Sequence, residues 1–316
     1  MGIVVVGSIA LDTISTPKIK RNNVLGGSAV YASLALAPFI KPRMLGVVGE
    51  DFPKDYINRL HDRGIDTEGV QIMKGKTFAW EGSYGDDLSE ACTRSTCLNV
   101  FETFDPSVPD SYADEKFLFL GNIDPVLQLR VLKKMKKPKI VATDTIDLWL
   151  DTKLDVLKEL LHHIDIFFIN EKESKKLSGE KKVLTASRKI SGWGPRIVVV
   201  KSGEHGAQAF HREANRFYMA PAYPGCEVVD PTGAGDSFAG GFLGSLVNEK
   251  DPFRDTAIKK ALYAGNVLSS YAISTFSVDY LLNLAKEEVE SRLKMLTDMT
   301  FCKFAPFKIF SVPARN

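Results

Sequence analysis

Short apolar runs at residues 3–6, 44–48, 117–120, 140–143, 164–169 and 197–200 recur along the chain. Several are rich in Val, Ile and Phe with little polar alternation, as in parallel strands buried on both faces. The segments 53–63, 126–136, 152–163 and 184–193 between them are amphipathic at helical spacing. Repeated strand-then-helix order predicts an α/β fold: a doubly wound parallel sheet with helices on both faces. Ligands of such folds sit outside the carboxyl ends of the strands. Asp12, Asn170 and Asp236 all lie just after strand-like runs.

Two segments break the alternation. Residues 13–25 are polar and extended, and 76–85 and 97–104 read as strands joined by a turn through Asp86 and Asp87. Together they predict a small β-lid, 13–25 and 75–104, over the mouth of a body formed by 1–12, 26–74 and 105–316. Residues 257–296 are largely helical with a break near Ser274–Ser277. The stretch 301–310 is apolar and aromatic without clear periodicity and carries no functional reading.

Composition removes several classes of function. Net charge is +2 with lysine and arginine spread along the chain, so nucleic acid is not an expected partner. No apolar run reaches the ~20 residues of a membrane helix, and the first residues read as a strand rather than a signal peptide. Cys92, Cys97, Cys226 and Cys302 match no zinc spacing and suit reduced thiols, so a cytoplasmic setting is expected. None of His61, His162, His163, His205 and His211 has a metal-ligand spacing. A Walker-A loop and a G-x-G-x-x-G fingerprint are both absent, so any nucleotide must bind by another device.

That device is Asp230-Pro231-Thr232-Gly233-Ala234-Gly235-Asp236. A strand-like run ends near Val229 and a helical pattern begins near Ala234. Small residues let the backbone N–H groups of Gly233, Ala234 and Gly235 face a ligand. The helix dipole adds about half a positive charge there, which favours phosphate. Asp236 falls in the first helical turn, beside the anion. A cradle with an adjacent carboxylate points to phosphoryl transfer to an alcohol, with Asp236 as general base.

These residues, with Gly26-Gly27-Ser28-Ala29-Val30-Tyr31-Ala32-Ser33, resemble the two signatures of the ribokinase (PfkB) family of carbohydrate and nucleoside kinases. Gly7-Ser8-Ile9-Ala10-Leu11-Asp12, Gly46-Val47-Val48-Gly49-Glu50-Asp51, Asn170-Glu171-Lys172-Glu173 and Lys201-Ser202-Gly203 match in family order, over about residues 1–275. The resemblance implies a ribokinase-like body with a β-lid, ATP as donor and Mg²⁺ as cofactor. It implies that Asn170 and Glu173 organise Mg²⁺ and the phosphates, Glu173 through water. Asn-x-x-Glu is equally a helix-capping pair. Lys201, Gly203 and Asn266 would line the nucleotide site.

On the acceptor side, the resemblance assigns Asp12 to substrate hydroxyls and Gly26 and Gly27 to close backbone approach, with Ser28 within reach. Tyr31 stands where many sugar kinases of the family have asparagine. Its flat ring either packs in the core or favours a ring-bearing acceptor such as a nucleoside. Segment 144–149 only partly echoes a substrate-binding stretch of the family. Asp230 and Thr232 match positions that hold a monovalent cation in some relatives, but the loop at 274–277 lacks the usual glycine, which speaks against a K⁺ requirement. Lids of the family sometimes pair between subunits, implying a homodimer through the lid. The expectation is an ATP-dependent carbohydrate kinase acting on a small polyhydroxylated substrate. A nucleoside kinase is the alternative, and a non-catalytic binding protein on this fold is the third reading.

Overall fold

The computed structural model describes residues 2–88 and 91–300. The aromatic stretch 301–310 and Cys302 lie outside the described residues. A nine-stranded sheet forms the body from β1 (Gly2–Val6), β4 (Lys41–Gly49), β5 (Asp66–Met73), β8 (Phe117–Leu120), β9 (Ile140–Thr143), β10 (Ile166–Asn170), β11 (Ile197–Lys201), β12 (Ala207–His211) and β13 (Arg216–Ala220). A four-stranded sheet is built from β2 (Ala10–Ser15), β3 (Lys20–Gly26), β6 (Ala79–Tyr84) and β7 (Ala91–Cys97).

The body order is β13-β12-β11-β10-β9-β8-β1-β4-β5. All pairs from β11 to β5 are parallel, and β12 and β13 add an antiparallel edge. The chain winds outward from β1 to β5, then returns to β8 and winds the other way. Its direction reverses at β1, so a crevice opens at the carboxyl ends of β1 and β8.

Alternate residues of β1 feed two cores. Ile3 and Val5 pack with the helices Ser28–Leu36, Ala234–Leu246 and Asp255–Ala272 on one face. Val4 and Val6 pack with Pro125–Lys134, Leu154–Leu161 and Val183–Ser191 on the other. The helix Ala234–Leu246 seats backbone to backbone. A Cβ on Gly240 would lie 2.4 Å from the Ala32 carbonyl oxygen, and one on Gly241 would lie 2.7 Å from that of Ala264. Phe168 of β10 meets Phe119, Phe238 and Phe242 edge-on at 6.0, 6.3 and 5.3 Å. It thereby locks two strands to that helix.

The small sheet runs β3-β2-β6-β7. The turn at Asp86 and Asp87 is present, but the strand expected over 97–104 is not. Pairing ends at Cys97, and Asn99–Thr103 is a 3₁₀ turn. Asn99 adopts φ +51° and its amide donates to the Thr77 carbonyl, which turns the chain back to the body. At the entry to this sheet the Asp51 carboxylate accepts from both the N–H and the hydroxyl of Thr77, at 2.8 and 2.7 Å. No helix among the described residues is long and apolar enough to cross a membrane.

Candidate active site

The helix start forms differently from the strand–turn–helix expected. No strand precedes Asp230, because residues 221–233 pair with no sheet neighbour. The Val229 and Asp230 N–H groups both donate to the Ile273 carbonyl, at 2.8 and 3.3 Å. The apolar residues before Asp230 therefore brace a loop. Gly233 follows at φ +74°, and a Cβ there would lie 2.3 Å from the Tyr31 ring. The helix opens at Ala234, and its first internal bond runs from the Ser237 N–H to the Gly233 carbonyl at 2.9 Å. The Ala234 N–H donates to the Pro231 carbonyl at 3.3 Å, which leaves the N–H groups of Gly235 and Asp236 in the first turn to receive an anion.

Two cavities meet at this helix start. The larger, about 610 Å³, lies under the small sheet; the smaller, about 330 Å³, lies over the carboxyl ends of β10 and β11. Asn122, Ile146, Ala234, Gly235 and Asp236 line both. Burial, with Asp144 adding repulsion and Lys201 opposing, pushes the Asp236 carboxyl up to about 7. A carboxyl balanced at that value accepts a proton readily near neutral pH.

The smaller cavity holds one lysine among three carboxyl groups, Asp144, Glu173 and Asp236. Lys201 Nζ lies 2.6 Å from the Asp144 carboxylate, and a Cβ on Gly235 would approach that ammonium at 3.0 Å. Burial works against the charge of Lys201, but the attraction and hydrogen bond of Asp144 hold its pKa above the ordinary value. Asn170 caps the helix Glu171–Ser178: its side chain accepts from the Glu173 N–H at 2.8 Å, and Glu173 accepts from the Asn170 N–H at 3.0 Å. The capping reading of this pair is therefore realised, and both residues also line the cavity. Burial raises Glu173 to about 7 against the pull of Lys201. Gly203 lines the same cavity at φ +54° with open space beside it. Asn266 is buried on its wall and donates to the Ala220 and Pro221 carbonyls at 3.2 and 2.9 Å.

Asp12 sits inside β2 of the small sheet rather than in a loop after β1. It is buried in the larger cavity, one carboxylate oxygen has no partner, and Gly26 leaves room for the other. Burial pushes Asp12 up to about 7 against a hydrogen bond from the Trp80 backbone, with Asp230 and Asp236 adding repulsion. Gly27, at φ +99°, has no room for a side chain beside the Ser8 carbonyl. Ser28 and Ser8 exchange hydrogen bonds through their hydroxyls and N–H groups, at 3.0 to 3.3 Å. Tyr31 is buried and lines the cavity, with an unpartnered hydroxyl.

Sequence reasoning missed part of the site. Phe78, just before β6, and Trp80 and Tyr84 within it, with Leu148 and Trp149 of the body, wall the larger cavity. Trp149 donates to Asn122 at 2.9 Å, and Tyr84 hydrogen-bonds Thr232 at 2.9 Å. Segment 144–149 carried only a partial echo of a substrate stretch, and the pairing of Asp144 with Lys201 across 57 positions was missed. The readable signal was position: Asp144 directly follows β9, and Asn122 comes after Gly121 at the end of β8.

The pfkB family carbohydrate kinase model matches residues 2–283. A cytidine kinase from Thermococcus kodakarensis is 33% identical over 77% of this chain and 87% of its own length. A Burkholderia thailandensis nucleoside kinase, solved with inosine, shares the fold with a TM-score of 0.77 at 19% identity, covering 94% of this chain and 98% of that one. An E. coli chain designated ribokinase II, solved with ATP and Mg²⁺, does so at 0.74 and 19%, covering 93% and 99%. The chain belongs to the pfkB family of carbohydrate kinases and is a kinase of a sugar or a nucleoside.

Proposed function

We propose that the protein is an ATP-dependent nucleoside kinase. The meeting of two cavities at the Gly233–Asp236 helix start carries this reading. The smaller cavity suits a nucleotide donor: Lys201 supplies positive charge and the helix start supplies N–H donors for the phosphates. Asn170 and Glu173 would hold Mg²⁺, largely through water, as this ion prefers. When bound, Mg²⁺ neutralises charge on the phosphates. The Escherichia coli fold neighbour solved with ATP and Mg²⁺ supports ATP as the donor.

The larger cavity suits a nucleoside acceptor. Asp12 offers its free oxygen to sugar hydroxyls, while Phe78, Trp80, Tyr84 and Trp149 offer aromatic faces to a base. A free sugar would use Asp12 but leave those rings without a partner, although carbohydrate kinases of the family keep that reading open. In the transfer, the acceptor hydroxyl gives its proton to Asp236 and its oxygen bonds the γ-phosphorus. The bond from that phosphorus to the bridging oxygen breaks, and ADP leaves. The N–H groups left without a partner at the helix start, those of Gly235 and Asp236, stabilise the charge on the transferring group. The small sheet excludes water from the acceptor. An ATP-using kinase with free Cys92, Cys97 and Cys226 fits a cytoplasmic setting. A homodimer would pair through β7, the exposed edge of the small sheet.

The test is ADP release with Mg-ATP against cytidine, uridine, adenosine, inosine, ribose, fructose and 2-keto-3-deoxygluconate. Release is expected with a nucleoside and lost in Asp236→Asn while ATP still binds. Release with sugars alone would refute the nucleoside assignment, and near-native turnover by Asp236→Asn would refute the base.

A further inference from the structure

The monovalent-cation site implied by the resemblance does not fit this chain. Asp230 is fully buried, and both of its carboxylate oxygens are engaged by the backbone. One accepts from the Thr232 N–H at 3.0 Å and the other from the Ser277 N–H at 2.9 Å. The Thr232 hydroxyl pairs with Tyr84. Ser277 itself adopts φ +55°, an uncommon conformation for a residue with a side chain. Its hydroxyl holds it there by donating to the Leu25 carbonyl at 2.6 Å.

We propose that the Ser277 N–H takes the place of a cation, so that the protein needs no K⁺ and Asp230 acts as a positioning residue for the phosphate cradle. Charge-assisted N–H bonds stabilise a buried carboxylate about twice as well as neutral ones. Two of them bond Asp230 without a metal, and at 0% exposure the carboxylate borders no water-sized space in which a cation could sit. The same contacts fix the turn into Gly233. Ser277 ties Asp230 to Leu25 of β3, and Thr232 ties it to Tyr84 of β6. The cradle is thus braced from the small sheet, with no ion in the linkage.

The experiment compares the full chain in KCl and in tetramethylammonium chloride at equal ionic strength. Thermal unfolding, which does not depend on the kinase reading, is expected to give the same Tm in both salts. A saturable, K⁺-selective rise in Tm would overturn the proposal. The kinetic arm rests on the kinase reading, and kcat/KM is expected to agree within about twofold between the salts. Activation by K⁺ of about tenfold or more would overturn it. Asp230→Asn places an amide against one N–H donor. Its kcat is expected to fall about tenfold or more, with KM for the acceptor near native and no rescue by K⁺. A lowered Tm with native kcat in the folded fraction would refute the positioning role. Absence of turnover in the native protein would instead indict the kinase reading and leave the Tm comparison decisive.

Discussion

Gly233→Ala tests the construction of the helix start most directly. The native backbone there is left-handed at φ +74°, which costs an alanine roughly 1–2 kcal/mol. The new methyl would lie 2.3 Å from the Tyr31 ring, well inside the ~3.5–4.0 Å at which carbons pack. Overpacking of this kind costs about 1–3 kcal/mol. Together the two terms predict a loss of about 2–5 kcal/mol, seen in urea as a midpoint lowered by roughly 1 M for a slope near ~3 kcal/mol/M. Movement of the turn also misaligns the cradle, and loss of one such donor lowers kcat by about 10²–10³. The companion Gly233→Ala/Tyr31→Ala removes the overlap but keeps the backbone cost. The double variant should be more stable than the sum of the singles by about 1 kcal/mol or more. An additive cycle, or native stability and kcat in Gly233→Ala, would refute the argument that Tyr31 and Gly233 together set the cradle.

Four further outcomes follow from the buried carboxyls and the aromatic wall. Asp236 sits near 7, so kcat/KM should rise about tenfold per pH unit below that value and level above it; a profile flat from pH 5 to 8 would contradict the base assignment. Asp12, Glu173 and Asp236 hold protons up to about 7 in the fold but release them at their ordinary values of 3.8 to 4.5 when unfolded. Between those limits the native state binds more protons, so these groups make stability fall as pH rises, and Asp236→Asn should flatten the pH dependence of Tm. Glu173→Gln keeps an acceptor for the Asn170 N–H, so Tm should change little while the Mg²⁺ needed for half-maximal rate rises; an unchanged Mg²⁺ requirement would leave Glu173 as a cap alone. Trp80→Ala should raise KM for a nucleoside about tenfold, a stacking loss of ~1.4 kcal/mol, and leave ribose phosphorylation unaffected; equal effects on both acceptors would count against base stacking.

The interior strands of the body were legible because their apolar runs have one reading once helices flank them. β1, β4, β8, β9, β10 and β11 fall on the runs at 3–6, 44–48, 117–120, 140–143, 164–169 and 197–200. β5 and β13 were not, since edge strands carry polar residues and lack that signature, and the interior β12, Ala207–His211, is broken by Gln208 and His211. The run before Asp230 misled for another reason: Val228 is exposed and Val229 half-buried, and the segment is a loop whose Val229 and Asp230 N–H groups bond the Ile273 carbonyl. The helix start at Ala234 and the capping pair Asn170/Glu173 were readable from local spacing alone. The partnership of Lys201 with Asp144 and the walls supplied by Trp80 and Trp149 arise only when distant segments meet. No local periodicity encodes them.

The close seating of the helix Ala234–Leu246 has an evolutionary consequence. With Gly240 and Gly241 against neighbouring carbonyls, a single added methyl has nowhere to go. Lineages diverging from this chain can therefore hardly re-aim the helix by substitution. The residues at 78, 80 and 148 belong to other segments and stand clear of that seat. New acceptor preferences should accumulate there while the phosphate-handling end is inherited intact, and a library randomised at those positions should change what is phosphorylated far more often than whether anything is.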